Sequence, residues 1–210
     1  MELQKLLNQS AARHRDHLCP RQVLGVRMGQ SAVEQLNLDL PQSDKRLIVL
    51  VETDGCLVDG IAVATGCSVG SRTMFMMDFG KTGATFVDTQ TLRAIRIIPH
   101  SASRTRSSVY APNAPDKWHA QLEAYQIMPA DELLTAQPVT LSISVQALVS
   151  QHGLRVLCEQ CGEDIINARE VRREGHVYCR TCAGSGYYLA QNQYPVANNH
   201  LALNMTLSKN

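Results

Sequence analysis

Two C-x-x-C pairs, Cys158 with Cys161 and Cys179 with Cys182, constrain the C-terminal part of this chain more than any other feature. Each such turn aims two thiolates at one point, and two turns complete a tetrahedron around a zinc ion with Zn–S near ~2.3 Å. The intervening residues, 162–178, fall within the spacing of zinc ribbons and related fingers. Between the outer cysteines the large apolar side chains are Ile165, Ile166, Val171, Val177 and Tyr178. That is too little apolar surface to order the segment by burial alone, so metal ligation must contribute to its folding. The expectation is one structural zinc on Cys158, Cys161, Cys179 and Cys182, in a ribbon-like or treble-clef-like finger over 151–188.

Fingers of this kind often meet nucleic acid, and Arg169, Arg172, Arg173 and Arg180 are candidate phosphate contacts. The charge balance argues otherwise. The arginines from Arg155 to Arg180 are matched by Glu159, Glu163, Asp164, Glu170 and Glu174, and four thiolates on Zn²⁺ add about −2. A slightly anionic module reads as structural or protein-docking, and nucleic acid is disfavoured as a partner.

The whole chain behaves alike: 20 basic and 19 acidic side chains leave no global field toward nucleic acid or an anionic membrane. With 210 residues and 44% apolar content, it has material for one sizeable core plus a small module. No segment resembles a secretion signal, and no apolar run approaches the ~20 residues of a membrane span. Seven cysteines, an odd number, suit thiol and metal chemistry in a reducing compartment better than a disulfide framework. A cytoplasmic protein is expected.

Along 1–150 the pattern predicts an α+β core domain in which a mixed or antiparallel sheet packs with helices. Leu3, Leu6, Leu7 and Ala11 lie near helical spacing, and Pro20 suits the first turn of a second helix reaching about Leu36. Arg46 to Glu52 reads as a buried strand, followed at Asp54-Gly55 by a turn into a helix from Cys56 to about Ala64. Met74–Phe79, Ala84–Val87 and Leu92–Ile98 read as a strand meander. Residues 99–115, rich in Pro and Ser, read as a surface loop, 116–126 as a helix, and the alternation Val139, Leu141, Ile143, Val145 as a half-buried strand. The tail, 189–210, is expected to be flexible or docked on a partner subunit. Gly25 and Gly29 invite a close helix approach, in a dimer interface or within the subunit. Arg93, Arg96, His100, Arg104 and Arg106, with Asp116 as the one acid nearby, read as a solvated edge rather than an anion site. Trp118 reads as core or interface.

The remaining cysteines are Cys19, Cys56 and Cys67, with His17 just before the first. Cys19 and Cys56 fall at expected helix N-termini, where the macrodipole favours thiolate. With His17 they form a soft N/S set suited to zinc or a second transition metal. The competing reading makes them small buried hydrophobes.

Their order decides between these readings. His17-Leu18-Cys19-Pro20, Gly25 and Gly29, the run Glu52 to Ile61 containing Asp54-Gly55-Cys56, Thr65-Gly66-Cys67-Ser68-Val69-Gly70, and Asp78-Phe79-Gly80-Lys81 together resemble the motif series of the formylmethanofuran dehydrogenase FmdE family. The resemblance covers roughly residues 10–100 and continues into the C-terminal zinc finger that many members carry. It implies a core that commonly dimerises, with His17, Cys19, Cys56 and Cys67 gathered in a cleft, and Asp59 and Lys81 nearby as orienting groups. Arg21-Gln22 after Cys-Pro, and Ser71-Arg72 after Gly70, depart from the usual pattern and alter the anion preference expected of that cleft.

Membership implies a metal-binding accessory protein, linked to a molybdenum or tungsten enzyme as partner, although no pterin-binding signature is present. Whether the core site is catalytic stays open. If it is, Cys56 or Cys19 is the nucleophile or metal-bound thiolate, His17 a ligand or general base, Cys67 a further ligand and Lys81 an electrostatic stabiliser. The alternative is a non-enzymatic regulatory or docking protein that uses its finger for protein or nucleic-acid contact.

Overall fold

A computed structural model describes residues 2–39, 44–150 and 153–188. The chain divides into two compact units, Met1–Ser150 and Gln151–Asn210. The tail singled out above, 189–210, lies outside the described residues.

The first unit is α+β. Its sheet holds β1 (Leu47–Val51), β2 (Met74–Met76), β3 (Ala84–Asp88), β4 (Ala94–Pro99) and β5 (Leu134–Val139), in the order β2-β1-β3-β4-β5. β1 runs parallel to β2, and the other pairs are antiparallel. The helices are α1 (Leu3–Ala12), α2 (Pro20–Leu36), α3 (Cys56–Thr65), α4 (Ser103–Tyr110), α5 (Lys117–Ile127), α6 (Ala130–Leu133) and α7 (Val145–Ser150).

β1 is apolar at every position because both its faces are covered. Leu47, Val49 and Val51 join Phe86, Ile95 and Ile97 in the main core with α1, α2 and α3. Ile48 points the other way, into a smaller cluster with Val87, Ala94 and Val145 of α7.

The helical side of that core turns on one crossing. A Cβ on Gly25 would stand 2.2 Å from the Leu57 carbonyl oxygen, and a Cβ on Gly60 2.2 Å from that of Gln22. The backbones of α2 and α3 therefore touch, and only glycine fits at either position. One turn on, a Cβ at Gly29 would meet the Ala64 Cβ at 2.6 Å. The two glycines read from the sequence as close-approach sites thus serve packing inside the subunit.

α1 is tied to the same unit by Gln22, which is fully buried and donates to the Ser10 carbonyl oxygen at 2.8 Å. Its Oε1 also accepts the Cys19 backbone N–H at 2.8 Å, closing the first turn of α2.

Two ion pairs fasten the sheet. Arg96 clasps Glu52 through two bonds of 2.6 and 2.7 Å. Arg46 does the same to the buried Asp88 at 3.1 and 2.9 Å. Asp88 also accepts from the Gln90 N–H and the Thr91 hydroxyl. These donors, Arg46 foremost, hold its carboxyl far below the usual carboxylate range.

Three expectations need correction. The segments read as a strand meander are not one: β2 pairs in parallel with β1, and of the three only β3 and β4 pair with each other. Residues 99–115 are not simply loop, since they contain α4. Its Thr105, Ser107 and Ser108 hydroxyls are satisfied locally by carbonyls three residues back, and the helix is held by packing against α5, with Ser103 and Ser107 buried. The strand expected over 139–145 lies earlier, at β5. Its Pro138, a residue that donates no ladder hydrogen bond, is tolerated because β5 is an edge of the sheet. Val139, Leu141 and Val145 nevertheless share one environment, the second cluster.

In the second unit, β6 (Arg155–Leu157) pairs antiparallel with β7 (Asp164–Ile166), and β8 (Val171–Arg173) with β9 (His176–Tyr178). Glu174 and Gly175, both with positive φ, turn the second hairpin.

Gly25→Ala or Gly60→Ala should destabilise the core by more than ~3 kcal/mol in denaturant unfolding, since backbone rather than a flexible side chain must yield. Gly70→Ala, where an added Cβ meets nothing within 4 Å, should stay within ~0.5 kcal/mol.

Because the folded-state pKa of Asp88 is depressed, its contribution is complete above the ordinary aspartate pKa and fades as pH falls through the carboxylate range. The stability gap between the native chain and Asp88→Asn should therefore be widest at neutral pH and shrink below about pH 4. Unfolding midpoints across that range check this.

Candidate metal centre and thiol cavity

The two hairpins of the second unit each lead into a cysteine turn. Cys158 follows β6, and its backbone N–H and C=O bond to Glu163 and to Gly162, whose positive φ closes the turn. Cys179 follows β9, and a short helical turn, Thr181–Ser185, carries Cys182 back toward it. Glu159 links the two halves by accepting from the Val177 N–H at 2.9 Å.

The four sulfurs lie within 4.8 Å of one another, and Cys161 and Cys179 are 3.9 Å apart. Zn–S bonds of ~2.3 Å in a tetrahedron place sulfurs about 3.8 Å apart, so this geometry fits a zinc ion. Backbone N–H groups of Cys179 and Cys182 point at the sulfurs of Cys158 and Cys179, at 3.2 and 3.3 Å, as thiolate ligands require. Hydrogen bonds from the Cys161 and Cys179 backbone pull the Cys158 thiol down to about 6. Hydrogen bonding to the Cys179 sulfur, then burial, pushes Cys182 up to about 12. Four sulfurs this close do not all ionise alone, and a divalent cation relieves that conflict.

In the first unit the Gly25–Gly60 crossing brings the starts of α2 and α3 together. Pro20 opens α2, leaving Cys19 at the N-cap. Gly55, at φ 80°, turns the chain into α3 with Cys56 first. Both thiols are half-buried and line one cavity of about 440 Å³, together with Arg21, Arg104, Trp118 and Tyr125. Burial first, then a hydrogen bond and charge interaction with Cys19, push the Cys56 thiol up, against the smaller pull of its own backbone and Arg21. The helix N-terminus alone therefore does not make Cys56 a free thiolate, contrary to the expectation from position.

The other candidates are placed differently. His17 does not line the cavity; its exposed ring stacks on Trp118, with centroids 5.7 Å apart and planes at 18°. Asp59 accepts from His14 Nε2 at 2.5 Å, with Arg13 at 3.8 Å. Cys67 is not gathered with Cys19 and Cys56. It is buried in the main core, where its thiol donates to the Leu47 carbonyl oxygen at 3.4 Å, and burial pushes its pKa up. Lys81 lines a neighbouring recess that shares Thr82, Pro99 and Arg104 with the thiol cavity. Among the described residues, the four-cysteine cluster is the one group of three or more acidic, histidine or cysteine ligands close enough for a single ion.

Sequence reasoning had placed Trp118 in the packing and Arg104 on a solvated loop, and it had given Tyr125 no role. Arg104 carried a signal in the basic stretch, but its partners come from distant segments.

The structure thus defines an α+β protein with a cysteine cluster able to hold a metal ion. Residues 14–141 match the family described as FmdE, Molybdenum formylmethanofuran dehydrogenase operon, and the chain belongs to that family. A probable S-adenosyl-L-methionine-binding protein of Archaeoglobus fulgidus is 33% identical over 99 residues, which are 46% of this chain and 27% of that protein. The chain therefore spans about a quarter of that relative's length. A crystal structure of a tungsten formylmethanofuran dehydrogenase FmdE-like protein from Syntrophus aciditrophicus superposes with a TM-score of 0.61 at 19% identity, covering 90% of this chain and 96% of that one. At this identity the likeness speaks for the fold. No helix among the described residues is long and apolar enough to cross a membrane.

Protein purified without chelator should carry zinc on the second unit. Cys161→Ser should lower zinc content and expose 153–188 to proteolysis while leaving the first unit's unfolding transition in place. Elemental analysis with limited proteolysis reads both.

Proposed function

We propose that this chain is a cytoplasmic metal-binding accessory protein of the FmdE family, with a structural zinc in the finger and a working thiol site at Cys19 and Cys56. The observation that carries this reading is their placement: two cysteines from separate helix starts line one cavity, near enough for Cys19 to act on the ionisation of Cys56. A core built only for packing would bury such thiols singly, as it does Cys67.

The pair would supply two thiolate ligands to a transition metal, with His17 one ring away on Trp118 and the cavity open to substrate. A bound ion would supply Lewis-acid chemistry, while Trp118 and Tyr125 would hold the substrate and limit water. Arg21, whose charge already opposes the upward shift of Cys56, would favour its ionised form. The family's description supports a molybdenum or tungsten enzyme as partner. The exposed Val69, Met76 and Phe79 around the β2 edge support pairing with a second copy.

Metal counting on chelator-free protein tests the reading. Two metals per chain are expected, with one lost in a Cys19→Ser, Cys56→Ser double variant that keeps its fold and its finger zinc. An unchanged metal content in that variant would overturn it.

A further inference from the structure

The basic stretch between Arg93 and Arg106 is resolved by the fold into spent and unspent charge. Arg96 is neutralised by Glu52, Arg106 is paired with Glu132 at 2.9 Å, and Arg93 donates to the Gln35 carbonyl oxygen at 2.9 Å. Arg104 is different. Its charge acts on the nearby buried Tyr125 phenol, and among the described residues no carboxylate lies within ion-pair distance of it or of Lys81. Arg104 lines both the thiol cavity and the recess of about 380 Å³ that contains Lys81, so it stands at the wall between them.

The other groups around the recess are donors as well. Thr82, Ser101 and Ser103 offer hydroxyls. His100 Nδ1 accepts the Ala102 N–H at 3.1 Å, which puts the neutral ring's proton on Nε2 as a further donor. Glu52 is paired with Arg96, and neither cavity has an Asp or Glu in its lining. A solvated edge would mix both signs. Two uncompensated cations and a ring of donors in a concave site instead concentrate an anion.

We propose that Lys81 and Arg104 bind the oxyanion head group of a small organic molecule whose remainder extends past Thr82 into the Cys19/Cys56 cavity, so that small organic anions are the substrate class of the thiol site. This rests on the reading of that cavity as a functional thiol site. The head group, a carboxylate or a phosphate, accepts from Arg104, Lys81 and the hydroxyls. The apolar walls made by Leu24, Pro99 and Trp118 take the body of the molecule.

The chain's single tryptophan is Trp118, so its emission reports occupancy directly. Inorganic phosphate and acetate are titrated separately into the full chain at constant ionic strength, following emission and calorimetric heat. Saturable binding of at least one is expected, and whichever binds tighter identifies the head group. A Lys81→Gln, Arg104→Gln double variant, altered only at exposed side chains, should keep its unfolding midpoint and bind about tenfold or more weakly.

A second readout links the recess to the thiols. Alkylation of Cys19 and Cys56 is followed by peptide mass analysis, and the rate ratio of iodoacetate to iodoacetamide should exceed that of the urea-unfolded chain and fall in the double variant. No saturable binding of either anion, or binding and rate ratio both unchanged in the double variant, would overturn the proposal. Phosphate or acetate binding that persists in the Cys19→Ser, Cys56→Ser variant is expected, because the cations are independent of the thiols. If metal content is also unmoved in that variant, the thiol-site reading fails by itself while the anion recess stands.

Discussion

The contact between α2 and α3 at Gly25 and Gly60 sets the geometry from which the rest of the core follows. Backbone touches backbone there, with no side chain between to absorb a misfit, so the helices have one depth and one rotation relative to each other. Cys19 and Cys56 begin those two helices. Fixing the crossing therefore fixes the separation of the thiols, and the cavity they line is a consequence of how close the helices come.

Once together, the thiols are governed by competition between weak and strong electrostatic effects. A helix N-terminus favours an anion by typically about 0.3–1 kcal/mol, whereas removal from water and contact with a second sulfur can outweigh this several-fold. At Cys56 burial and Cys19 win, and the thiol moves up. At Cys158 the balance reverses, because backbone N–H groups point straight at the sulfur and outweigh its burial. The same residue type is thus a reluctant thiolate at Cys56 and a ready one at Cys158.

Charge in the first unit follows a similar division. Glu52 and Asp88 each take an arginine, and those pairs join β1 and β3 to their neighbours. Among the described residues Arg104 has no acid within ion-pair distance, and its charge acts on the nearby Tyr125. Sequence proximity had grouped Arg96 and Arg104 in one basic stretch, yet strand and helix carry them to opposite fates. The misread segments have the same origin: α4 is held by its packing on α5, which does not appear as hydrophobic period, and β5 admits Pro138 because it is an edge of the described sheet.

What the sequence settled by itself was local. Two cysteine turns at metal-ligand spacing, a proline opening α2, an Asp-Gly turn before α3 and an all-apolar β1 each act within a few residues, where covalent geometry limits the choices. The order of the cysteine motifs also carried the family. Which of the first unit's cysteines meet was decided only by tertiary structure, because it depends on helices crossing and strands pairing across tens of residues. That is why Cys19 and Cys56 share a cavity, Cys67 sits in the core beside Leu47, and His17 rests on Trp118, although the motif series implied all four in one cleft.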